Sequence, residues 1–209
     1  MSRHSSSSFW KWVAGGVGIL IVLLLLSSRL IPSKPTVKIS DPSALPGIQT
    51  TDTPWQPELA NLAGRLRAIG LPALSAEGSA MHIHQHLDIF IDGKAIPVPA
   101  GVGINQAAGF ISPVHVHDNS GIIHVESPKV QTFTLGQFFD VWGVKLTAQC
   151  IGGYCADSTK SLKVYSNGTL YQGDLRQLAL QSHQEIVIVY GTDQESPQIP
   201  STYAFPVGY

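Results

Sequence analysis

Between Met81 and Gly93 the chain alternates with a period of two. His82, His84, His86 and Asp88 fall on one parity, Ile83, Leu87, Ile89 and Ile91 on the other, and Asp92-Gly93 follows. That period marks a strand with one buried face, and Asp-Gly suits a two-residue hairpin turn. Successive strand side chains point to opposite faces, so three imidazoles and a carboxylate share one face. Neighbours on a strand face sit about 6.6 Å apart. Imidazoles converge across such a gap on one ion at about 2.0–2.1 Å from each nitrogen. The segment predicts a sheet that carries a metal site.

A second alternating stretch, Val114-His115-Val116-His117-Asp118, is followed by a turn at Asn119-Ser120-Gly121 and a return through Ile122 to Glu126. If His117 faces Ile122, His115 faces His124, and directly paired residues share a face. His115, His117, His124 and Glu126 then line one side. The expected metal ligands are His82, His84, His86, His115, His117 and His124. Asp88, Asp118, Glu126 and His183 are candidates for orienting them or adding to the site. Asp118 equally suits a turn position. The bland alternative is a solvated polar sheet face. It must place several neighbouring imidazoles together without a common partner, and each buried unsatisfied polar group costs about 1–3 kcal/mol.

The elements around these strands read as a mainly β (α+β) domain of antiparallel hairpins packed with two short helices. Leu59, Leu62, Ala63, Leu66 and Ile69 keep helical spacing before Gly70 and Pro72. Thr134 and Gln137 form a capping box, and Leu135, Phe138, Phe139 and Trp142 make one apolar helix face up to Gly143. Pro97 and Pro99 confine the strand after Gly93 to an edge or end it early. Leu162–Tyr165 and Leu170-Tyr171 flank Asn167-Gly168 as another hairpin. Glu185–Tyr190 is a β-branched, central strand, and the proline-containing tail from Asp193 wraps the domain as irregular chain. Cys150 and Cys155 flank Ile-Gly-Gly-Tyr and read as a disulfide across a tight loop. A metal pair is the alternative, but two cysteines make an incomplete zinc set.

Trp12 to Ile31 is twenty mostly apolar residues, about 30 Å as a helix, which is one hydrocarbon core. Trp10 and Trp12 suit the interface, and Arg29 can snorkel. Residues 1–31 therefore read as a tail and an uncleaved single-pass transmembrane helix, with a cleaved signal peptide as the rival. Residues 32–57, rich in proline, read as a linker, and 58–209 as an extracytoplasmic histidine-rich domain at the cell membrane. The formal net charge of −1, with scattered Lys and Arg, gives no footprint for nucleic acid. No P-loop, dinucleotide fingerprint, G-x-S-x-G or H-E-x-x-H motif is present.

The order His82-x-His84-x-His86, Asp92-Gly93-Lys94 with Pro97 and Pro99, His115-x-His117-Asp118-x-Ser120-Gly121-Ile122-Ile123-His124-x-Glu126, then Phe133–Phe139, resembles a family of membrane-anchored bacterial and archaeal proteins. The likeness covers about residues 80–191. It implies an N-terminal anchor and a common grouping of these histidines, and implies no activity. Leu178–Val189 is also similar to the last strand of β-grasp domains. Together these features predict a membrane-anchored protein that binds a divalent transition metal, copper or zinc, for binding, sensing or delivery. A metalloenzyme with an open coordination position at the same site is the first alternative. A partner-binding module with incidental histidines is the second.

Overall fold

The computed structural model describes residues 39 and 41–209. The expected anchor at Trp12–Ile31 lies outside the described residues. Among the described residues no helix is long and apolar enough to cross a membrane.

The chain is mainly β. Strand β1 (Met81–Ile91) is followed by two-residue strands β2 (Lys94–Ala95), β3 (Ile104–Asn105), β4 (Phe110–Ile111) and β5 (Val114–His115), then β6 (Ile122–Ser127). Further on come β7 (Cys150–Ile151), β8 (Tyr154–Cys155), β9 (Ser161–Ser166), β10 (Thr169–Leu170) and β11 (Gln184–Gly191). Helix α1 spans Leu62–Ile69 and α2 spans Leu135–Trp142. The main sheet runs β10-β9-β11-β1-β6-β5, with β2 also paired to β1. Both predicted two-residue turns form with positive φ at both positions, Asp92 (49°) and Gly93 (74°), Asn167 (51°) and Gly168 (78°). That is the conformation a tight hairpin demands. Strand β2 stops before Pro97, which has no N–H to donate to the ladder.

Antiparallel pairing does not describe the whole sheet. The long strands β1 and β11 pair in parallel, from Gln85 with Gln184 to Ile91 with Tyr190. The other half of β1 pairs antiparallel with β6, from Met81 with Ser127 to His86 with Ile122. The stretch expected to be a strand over 114–118 is shorter, because only Val114 and His115 pair with β6.

One sheet face is apolar and is covered by the helices. Leu87, Ile89 and Ile91 of β1, Ile123 and Val125 of β6, Val164 of β9 and Ile186 and Ile188 of β11 join Leu62, Leu66, Phe138, Phe139 and Trp142 in one core. The capping box of α2 forms as its sequence predicts, and Gly143 ends the helix in the left-handed conformation. Arg65 of α1 is fully buried and caps α2, with Nε donating to Asp140 O (2.7 Å) and a guanidinium N–H to Val141 O (3.1 Å). It also pairs with the Glu58 carboxylate. These bonds satisfy carbonyls that a helix C-terminus leaves without partners. Cys150 and Cys155 are disulfide-bonded across the β7–β8 hairpin.

The linker expected over 32–57 must be shortened. Residues 41–57 lie on the domain: Trp55 is 2% exposed, meets Trp142 edge-on at 6.0 Å and donates its indole N–H to Thr51 O. Gln49 bridges to Val144. A Cβ on Gly152 would come within 2.4 Å of the Trp55 ring, so the disulfide loop closes over this segment only with glycine there. Proline content suggested an extended tether, but burial of one large aromatic outweighs it.

Replacing Trp55 with alanine is expected to destabilise the domain by about 3–5 kcal/mol, the cost of a large core truncation. Urea unfolding of the purified full-length protein measures it. A change under about 0.5 kcal/mol, typical of surface sites, would return 41–57 to the linker.

Candidate metal centre

The face of the sheet opposite the core carries the histidines, as the alternation requires. The β1–β6 register puts His84 beside His124 and His82 beside Glu126. The β5–β6 register puts His115 beside His124, as the turn spacing predicts. Two local strand patterns are thereby joined across three strands. His84, His115, His124 and Glu126 are buried, while His82 and His117 are exposed at the rim.

Two groups of ligand atoms result. His82, His84, His124 and Glu126 offer atoms within 4.8 Å of one another, and so do His115, His117, His124 and Glu126. The groups share His124 and Glu126, so five imidazoles and one carboxylate form a continuous cluster. His82 Nε2 lies 3.0 Å from His84 Nε2, and His115 Nε2 lies 3.0 Å from His117 Nε2. Two nitrogens bound at about 2.0–2.1 Å to one ion are about 2.9–3.4 Å apart at right-angled to tetrahedral geometry. Both pairs have that spacing. Glu126 Oε1 lies 3.1 Å from His82 Nε2 and 3.2 Å from His124 Nδ1.

Burial sets the protonation of the cluster. Burial first, and the neighbouring imidazoles after it, lower the pKa of His84 and of His115 to about 4 and that of His124 to about 3. Burial, with the Glu77 carboxylate beside it, raises Glu126 to about 7. Three rings are therefore neutral at physiological pH, and neutral imidazole is the form that binds a metal. His115 Nδ1 lies 2.9 Å from Ser112 O, a carbonyl that can only accept. The proton of neutral His115 therefore sits on Nδ1, and its Nε2 lone pair faces His117. A backbone carbonyl holding the second ring nitrogen is the usual partner of a metal-ligating histidine. The residues present fit a transition metal.

The other candidates divide. His86 shares the face, but its Nδ1 is 2.9 Å from Glu185 Oε2 and it groups with Asp88 and Glu185 instead. The expected H-x-H-x-H triplet is thus split two and one. Asp118 is a turn residue: its Oδ1 accepts from Ser120 N at 2.9 Å. His183 joins neither cluster group. Its N donates to His84 O (2.7 Å) and its Nε2 lies 2.9 Å from Tyr209 O. Glu126, expected as an orienting residue, belongs to both groups. The sequence pattern missed Glu77, which lies 3.5 Å from His117 in a loop without periodicity. It also missed the tail, whose Tyr209 ring packs 4.6 Å from His84 and 5.5 Å from His124.

The lowered histidine pKa values have a defined sign. In the unfolded chain these rings bind protons below about 6.5. In the folded chain they stay neutral down to about 4 or 3, so each withdraws stability as pH falls from 6.5. Glu126 acts oppositely, because its folded carboxyl keeps a proton up to about 7. Side-chain NMR titration of the metal-free full-length protein in detergent is expected to show three imidazoles still neutral at pH 5. If all the histidines titrated together near about 6.5, the rings would be ordinary solvated ones.

Comparison with known protein families, with curated proteins and with solved structures finds no match, so the reading of this centre rests on its residues and their geometry.

Proposed function

We propose that this chain is a membrane-anchored, extracytoplasmic protein that binds a divalent transition metal, copper or zinc, for sensing or delivery. The observation that carries the reading is the cluster itself: five imidazoles and the Glu126 carboxylate converge on one sheet face, and burial holds three of the rings neutral. Imidazole-rich ligation suits copper(II) and zinc. With both cysteines in a disulfide, thiolate ligation is excluded for the oxidised chain. The anchor rests on the Trp12–Ile31 span, and an oxidised Cys150–Cys155 pair accords with an exported domain. Parallel pairing of the first and last long strands at the sheet centre supports the β-grasp likeness.

A second reading has one observation in its favour. A cavity of about 530 Å³, lined by Pro57, Leu59, Ala100, Gly101 and Ile104, reaches the cluster at His117. That volume suits a small organic molecule. A metal held by the inner histidines, with a coordination position open toward this cavity, would make the same cluster a hydrolytic or redox centre.

Calorimetric titration of zinc and copper(II) into the metal-free full-length protein tests the proposal. The expected affinity is tighter than about 10 μM. His84→Ala and His124→Ala, which remove two ligands of one group, should each weaken binding by more than about 100-fold, the upper range for loss of an outer partner. The double variant should lose little more than either single one, because they act on a shared site. Wild-type binding weaker than about 10 μM, or two unaffected variants, would leave the histidines as a polar sheet face.

A further inference from the structure

A second set of metal-ligating side chains lies on the same sheet face and shares no ligand with the cluster. His86 and Asp88 are adjacent on that face of β1. The parallel register sets Glu185 of β11 directly beside His86. The three offer ligand atoms within 4.8 Å of one another. His86 Nε2 lies 3.0 Å from Ser120 O, which can only accept, so Nε2 carries a proton. In the neutral ring, Nδ1 is then a lone pair directed at Glu185 Oε2, 2.9 Å away. A histidine whose outer N–H is held by a backbone carbonyl is oriented as metal-binding histidines are.

The ring is fixed in that orientation. Tyr203 stacks on it at 3.7 Å with an interplanar angle of 10°. The Ser120-Gly121 turn presses on its edge: a Cβ on Gly121 would meet His86 Nε2 at 3.0 Å and Leu87 O at 2.8 Å. Gly121 also has φ +82°, so glycine is required there on both counts.

Charge supplies the independent observation. Glu185 is 0% exposed, and its second oxygen, Oε1, has no hydrogen-bond partner. Asp88 adds another carboxylate. The described ion pairs of lysine and arginine go to Glu58, Asp92, Asp193 and Asp140, none to this group. A fully buried carboxylate, a half-buried one beside it and an imidazole lone pair call together for a positive partner. A cavity of about 180 Å³ borders His86 and Asp88 beside Asn119 and Gly121.

We infer that His86, Asp88 and Glu185 form a second, separate divalent-cation site. One nitrogen and two carboxylates make a harder donor set than the histidine cluster, suited to manganese(II), iron(II) or zinc. Three protein ligands leave the remaining positions to water.

Manganese(II) is the probe, followed by loss of its free-ion paramagnetic resonance signal on titration into the metal-free full-length protein. One ion per chain is expected. Glu185→Gln and Asp88→Asn should each weaken binding by at least about ten-fold, while His84→Ala leaves it unchanged. Asp88 is only half-buried, so Asp88→Asn preserves the test if Glu185→Gln fails to fold, which circular dichroism reports. No binding up to about 1 mM would overturn the inference. So would binding that Asp88→Asn leaves intact, which would place the manganese outside these three groups. Loss in His84→Ala alone would place the manganese in the cluster. Failure of copper and zinc to bind the cluster, with manganese still bound here, would overturn the proposed function and leave this site standing.

Discussion

Strand β1 hydrogen-bonds to β6 through its first half and to β11 through its second, and this double pairing decides which side chains meet. With period two fixed by the backbone, every residue of β1 has its face assigned once the aliphatic positions are buried. Leu87, Ile89 and Ile91 anchor one face in the core, so His82, His84, His86 and Asp88 have no other side to occupy. A slip of one residue would drive three imidazoles into the apolar core and expose the aliphatic row. The site is therefore held in place by the same burial that holds the fold.

Different neighbours then give the two halves of that face different chemistry. Beside β6 and β5, His82 and His84 meet further imidazoles and the Glu126 carboxylate. Beside β11, His86 meets Glu185, with Asp88 next along the strand. Nitrogen dominates one group and oxygen the other. The C-terminal tail lies over both, with Tyr209 against His84 and Tyr203 stacked on His86. It helps keep water from the rings, and that desolvation is the largest cause of the lowered histidine pKa values.

Local pattern made part of this legible in the sequence. The alternation assigned the two faces of β1, the turn length between His117 and Ile122 set His115 against His124, and the capping box located α2. Non-local pairing was not legible. Nothing within β1 says that its second half will lie parallel to a strand about a hundred residues later, so the sequence kept His86 with His82 and His84 and gave Glu185 no role. Proline density made 41–57 look like a tether, although Trp55 was the one large aromatic in it that needed a core. Glu77 and Tyr209 sit in segments without periodicity, where position in space follows from the packing of the whole domain.

The central claim is that imidazoles of the β1–β5–β6 face are ligands, and X-ray absorption at the edge of the bound metal reads ligands directly. The full-length protein loaded with one equivalent of zinc or copper(II) should show a first shell of nitrogen and oxygen at about 2.0–2.1 Å. Outer-shell scattering should be that of several imidazole rings, with no sulfur. A first shell of oxygen alone, without imidazole scattering, or sulfur at about 2.3 Å, would contradict the account.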